Sequence, residues 1–180
     1  MKKLITVAAI IIAGICDLSG QEYIKSDEVI LGVRIVETFP ATFIDDYDIY
    51  LLSWNYICSP SDNIDHYYLT LYCSQNGDWS IKAGDKIYLG LSLEDEYVEL
   101  TSLTDVEPKA ITIDEVKYSI LAKYLIPQDA YKKLFTGFDR FKILARDSYS
   151  APAILDVNMP FEAIEHMMMS YLYIMIATGR

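Results

Sequence analysis

Apolar and polar residues alternate one for one along much of this chain, the period of a β-strand with one face buried. Between Tyr47 and Cys58 one face collects Tyr50, Leu52, Trp54, Tyr56 and Cys58; between His66 and Cys73 one face collects Tyr67, Leu69, Leu71 and Cys73. The intervening Ser59-Pro60-Ser61-Asp62-Asn63-Ile64-Asp65 joins the two runs as a hairpin, with Cys58 expected near Tyr67 and Cys73 near Leu52. A second hairpin is predicted where Ile87, Leu89, Leu91 and Leu93 alternate with Tyr88, Gly90 and Ser92. It turns at Glu94-Asp95-Glu96-Tyr97 and places Val98 and Leu100 opposite Leu93 and Leu91.

The remaining pattern completes a mostly antiparallel picture. Val29 to Phe39 is rich in β-branched residues and reads as a first strand ended by Pro40. Asn76-Gly77 marks a turn, and Trp79 and Ile81 begin a short strand after it. Thr104 to Ala110 reads as a loop, and Val116 to Ile126 as a long alternating strand stopped by Pro127. Pro127 can open a helix that passes through Tyr131 and Leu134 and ends at Gly137. Phe138 to Arg146 is again extended, and Asp147 to Asn158, with Pro152 inside it, reads as a loop. From Pro160 onward Phe161, Ile164, Met168, Tyr171 and Met175 recur at steps of three and four, the period of a helix. Its second half, Met167 to Ala177, is apolar almost all round, which predicts burial on more than one side. The expected fold is therefore α+β: a β-sandwich-like or curved antiparallel sheet, with a short helix near 128–136 and a C-terminal helix near 160–178.

The first residues break this pattern. Met1-Lys2-Lys3, an apolar or small run from Leu4 to Cys16 and the polar Asp17 to Glu22 have the layout of a secretory signal peptide. The run is shorter than the roughly 20 residues a membrane-spanning helix needs, so the mature chain is expected to carry no transmembrane span. A cut after Gly20 leaves one domain, residues 21–180, in the periplasm or secreted. The alternative is a lipid-anchored envelope protein, because Cys16 closes the apolar run; Ile15 before it is larger than such signals prefer.

Export makes a disulfide between Cys58 and Cys73 the first expectation. The hairpin register opposes it, since the two sulfurs would lie roughly 20 Å apart at about 3.3 Å per residue. Both cysteines are expected as free thiols. The formal net charge of -11 disfavours nucleic acid and anionic lipid as partners.

No familiar chemistry assembles from the remaining residues. The two histidines, His66 and His166, stand on separate elements without metal-ligand spacing, and the cysteines are not paired as structural zinc requires. The acidic loops lack the spacing and glycine of a calcium loop. Gly90-Leu91-Ser92-Leu93-Glu94 lacks the second glycine of a nucleophile elbow. No catalytic residue, metal or cofactor is assigned.

What stands out is aromatic content, with 15 tyrosines and two tryptophans. Tyr and Trp combine an apolar ring with a polar tip, which suits strand packing and binding surfaces alike. The candidate binding residues are Trp54, Trp79, Tyr68, Tyr72 and Tyr88.

The stretch Trp79-x-Ile81-x-x-Gly84-Asp85-x-Ile87-x-Leu89, followed by Leu93-Glu94-Asp95 and Val98-x-Leu100, resembles a pattern in uncharacterised exported proteins of gut-type Gram-negative bacteria. The Tyr118 strand, the helix ending at Gly137 and the strand after it extend the likeness, although Pro127 stands where that group often has serine. The resemblance implies export and fold and carries no activity. The expected function is a non-enzymatic module that binds a protein or glycan partner through an aromatic sheet face or loop. The alternatives are a secreted hydrolase using carboxylate chemistry and a homo-oligomeric subunit docking through Met167 to Ala177.

Overall fold

Two long strands, β4 (Asp48–Ser59) and β5 (Ile64–Gln75), form the central hairpin of the molecule in a computed structural model that describes residues 22–46, 48–75, 79–92, 96–110, 118–146 and 151–179. The signal-peptide reading, the cut after Gly20, the Cys16 anchor, the Asn76-Gly77 turn and the Leu93-Glu94-Asp95 segment lie outside the described residues. The inward parity is as expected: Tyr50, Leu52, Trp54, Tyr67, Leu69, Leu71 and Cys73 are buried. The register is not. Cys58 pairs with Asp65 and Tyr50 with Cys73, a slip of two residues from the expected pairing. The connection is tighter than the seven-residue loop suggests, a 3-10 turn at Pro60–Asp62 followed by Asn63 in the left-handed region. A slip of two leaves every side chain on its face, so alternation alone cannot detect it. Cys58 and Cys73 are free thiols, as expected.

The described strands make one open antiparallel sheet. In chain order the others are β1 (Ile24–Ile30), β2 (Val33–Thr38), β3 (Ala41–Asp45), β6 (Lys86–Leu91), β7 (Tyr97–Ser102), β8 (Lys109–Ala110), β9 (Tyr118–Leu125), β10 (Phe138–Arg146) and β11 (Pro152–Asn158). Across the sheet they run β1-β2-β4-β5-β9-β7-β6-β10-β11, with β3 beside β4 and β8 beside β9.

The expected single strand from Val29 to Phe39 is instead the β1–β2 hairpin. Leu31 and Gly32, both at positive φ (52° and 83°), form its two-residue turn, the geometry that matches the twist of paired strands. The expected loop from Asp147 to Asn158 ends in an edge strand, β11, where Pro152 is tolerated because it sits at the strand's start. In the β6–β7 hairpin Val98 pairs with Leu89 and Leu100 with Ile87, so the turn takes more residues than alternation implied. The short helix near 128–136 takes the form of two 3-10 turns, Gln128–Ala130 and Lys133–Thr136, closed by Gly137 at φ 75°.

β2 and β3 lie end to end along β4, interrupted at Phe39-Pro40, where proline offers no N–H to the ladder. The Thr38 hydroxyl fills the gap, accepting from the Trp54 N–H at 2.9 Å and donating to the Trp54 carbonyl at 3.3 Å.

The sheet coils until its two ends share one core. Phe141 on β10 meets both Phe43 and Tyr50, with ring centroids 6.4 and 5.7 Å away. The remaining opening is covered by helix α1 (Phe161–Ala177), which packs on β1, β2, β3, β4 and β10. Trp54 joins helix to sheet, its indole donating to the Met167 carbonyl at 2.8 Å while its ring meets Tyr171 and Phe138. Burying a side chain of that size contributes about 3 kcal/mol. Of the expected stripe Tyr171 and Met175 are buried, Ile164 and Met168 are half-buried and Phe161 is 72% exposed, while Ala163, Met167, Ser170 and Ile174, each one position earlier, are buried beside them. An almost uniformly apolar second half carries no periodicity to set the helix's rotation. Tyr23 stacks on Tyr173 at 5.0 Å, so the helix is covered from a second side as its composition predicts. Among the described residues no helix is long and apolar enough to cross a membrane.

Candidate binding site

Antiparallel register turns the outer face of the sheet into rows that cross the strands. One row reads Thr42, Leu51, Tyr72 and Leu121; the next two positions along β4 and β5 hold Ser53 and Thr70, with Lys123 beside them on β9. The third row holds Glu37, Asn55, Tyr68 and Leu125. Bulky side chains stand in the first row and two small hydroxyls in the second, so a shallow groove crosses the strands between them. Its volume is about 300 Å³.

The groove has a distinct chemistry at each part. Leu51, Tyr72 and Leu121 form an apolar wall, with Leu121 57% exposed and the other two half-buried. The floor is uncharged: Ser53, Thr70 and Asn55, whose amide donates to the Thr70 hydroxyl at 2.8 Å. Lys25 and Glu37 close one end as an ion pair at 3.2 Å, and exposed Lys123 stands at the other. Hydroxyl and amide groups both donate and accept, so this floor can answer a ligand rich in either.

The five aromatic candidates separate. Tyr72 lies in the groove wall. Tyr68, four residues along β5 on the same face, is 8% exposed, with the His66 ring set edge-on at 6.4 Å; burial raises its hydroxyl pKa above the ordinary value. Tyr88 is half-buried on the outer face of β6, between Glu99 and Lys142, far across the sheet order from Tyr72. Trp79 packs half-buried against the core. Trp54 is 1% exposed and belongs to the inner face, so it cannot touch a surface ligand. Its parity with Leu52 and Tyr56 already places it there. Asn55, Ser53, Thr70 and Lys123 complete the groove without any signal of their own, because small polar residues at outward positions read as ordinary solvated surface.

A second depression, of about 290 Å³, is lined by Glu99 and Asp129 together with Tyr97 and Lys133. Both carboxylates are exposed, and Glu99 is held by Lys86 at 2.9 Å. Neither is enclosed as the acid of a hydrolytic pair would be. His66 pairs across the strands with Ile57, on the opposite face from Cys58, so those two do not form a nucleophile and base. His166 contacts the Phe39 carbonyl at 3.0 Å and the Tyr23 ring at 5.5 Å. Among the described residues no three His, Cys, Asp or Glu side chains are grouped to hold a metal ion.

The apolar surface of residues 167–177 is largely taken up within the chain. Met167, Tyr171, Ile174 and Met175 are buried in its own core, and Ile176 is exposed. Compared with known proteins, the chain matches no protein-family model, no curated protein and no solved structure.

Proposed function

We propose that this chain is an exported, non-enzymatic binding module that holds a protein or glycan partner on the outer face of β2, β4, β5 and β9. The observation that carries the reading is the transverse groove. A half-exposed tyrosine and two leucines stand in register above a floor of uncharged hydroxyl and amide groups. Binding sites combine an apolar surface with a few placed polar groups, and this is where the described outer face does so.

The test is to block the groove without touching the core. Thr70→Arg puts a long charged side chain on the floor, and Tyr72→Ala removes the aromatic wall. Each is expected to lower capture of partners from a bacterial envelope extract and from a panel of polysaccharides at least tenfold, with thermal stability little changed. Equal capture by wild type and both variants sinks the reading.

A further inference from the structure

Resting on that reading of the groove, we infer that its occupant is a neutral glycan laid across the strands, about three sugar rings long. Three features select this class.

The first is direction. β4, β5 and β9 are joined by continuous ladders in the region of the groove, and at the break between β2 and β3 the Thr38 hydroxyl takes up the Trp54 N–H and carbonyl, so the backbone of β4 there already has its partners. An extended peptide binds sheets by pairing with free backbone at an edge. The groove offers none and lies across the strands, so a ligand there meets side chains alone.

The second is the match of faces. A pyranose ring has an apolar face of C–H groups and a rim of hydroxyls. The row of Leu51, Tyr72 and Leu121 supplies a surface for the former, with the tyrosine ring as the stacking element. Ser53, Thr70 and Asn55 supply groups that can each donate to or accept from a sugar hydroxyl. Four strands at about 4.8 Å spacing give a groove roughly 14 Å long, the span of about three sugar rings.

The third is charge. Glu37 is neutralised by Lys25 at the groove's end, and the floor carries no ionised group. A single exposed lysine, Lys123, in a chain of formal net charge -11 is a poor receptor for an acidic polymer.

Affinity electrophoresis of the purified protein in gels containing a soluble β-glucan, a mannan, dextran or polygalacturonate tests the assignment. At least one neutral polymer is expected to retard the wild type, equally at low and high salt. Tyr72→Ala should lower that affinity at least tenfold, Tyr72→Phe should retain most of it, and Lys142→Gln, on β10 outside the groove, should change it less than twofold. Retardation by polygalacturonate alone, with loss on Lys123→Gln or at high salt, overturns the neutral-glycan assignment. So does failure of every neutral polymer. If Thr70→Arg still abolishes capture from an envelope extract in that case, the glycan inference falls while the groove stands. If Thr70→Arg changes nothing, both fall.

Discussion

The outer face of the sheet has two halves built from the same kind of strand and finished in opposite ways. On β6, β7, β10 and β11 the outward side chains partner one another. Lys142 pairs with Asp156 at 2.9 Å, Lys86 pairs with Glu99 at 2.9 Å, and the Arg140 guanidinium lies over the Tyr97 ring at 5.2 Å. Gly90 permits that stack: a Cβ there would stand 2.6 Å from Arg140 Cγ. On β2, β4, β5 and β9 the bulky and small residues segregate into rows and leave the groove open. A surface whose charges and rings are mutually engaged has little to offer a ligand without first losing those contacts. An uncharged floor beside an apolar wall has less to give up.

The largest effect lies behind the groove half. Trp54→Ala removes a side chain in contact with Phe138 and Tyr171 and takes the indole donor from the Met167 carbonyl, which keeps the Ser170 hydroxyl, a loss of about 4 kcal/mol read from the urea midpoint. Gly90→Ala acts on the other half. It pushes Arg140 off Tyr97, destabilises by about 1 kcal/mol and leaves the groove's binding as it was.

Third, both cysteines lie on the groove half and should differ in reactivity. In the native protein half-buried Cys58 labels with iodoacetamide, and Cys73 labels only on unfolding; mass spectrometry of timed quenches checks this. Burial pushes the Cys73 thiol up from 9.0 to about 12. The stability that its neutral form contributes is intact below pH 9. It is lost as pH rises towards 12, because the unfolded thiol ionises first. The buried hydroxyls of Tyr50 and Tyr171, raised chiefly by burial, act with the same sign. Urea midpoints should therefore fall progressively above pH 9. The smallest effect is expected of Lys142→Ala. Its exposed pair with Asp156 should leave both the thermal midpoint and groove binding unchanged within error.

Much of the inner face is legible in the sequence, because a period of two reports parity directly. Tyr50, Leu52 and Trp54 against Tyr67, Leu69 and Leu71 need no structure to be placed inside. Pairing is less legible. Leu31 puts an apolar residue where a hairpin turn usually shows Asn or Asp, which hides the β1–β2 boundary inside one β-branched run. β11 is an edge strand opened by a proline, so its composition resembles that of a loop. The groove is the least legible feature. It exists only once Leu51, Tyr72 and Leu121, or Ser53 and Thr70, are brought abreast across strands, and a two-residue slip of β4 against β5 would set Ser53 opposite Tyr72 in its place. Counting aromatics finds Tyr72 and Trp54 alike; strand parity separates the residue that faces solvent from the one that holds the helix.

The position of α1 in the chain has a consequence for how the molecule is made. Every described strand precedes it, yet Trp54, Tyr67 and Phe138 on the inner face have no complete cover until it docks. During synthesis the nascent sheet can form its local hairpins and still present a hydrophobic interior, with β5 waiting for β9 some fifty residues later. Such long-range pairing is slow. A chain stopped before Phe161 would have all its described strands and still be prone to aggregate. Docking of the helix, last in the described chain, is therefore expected to be what closes that hydrophobic interior.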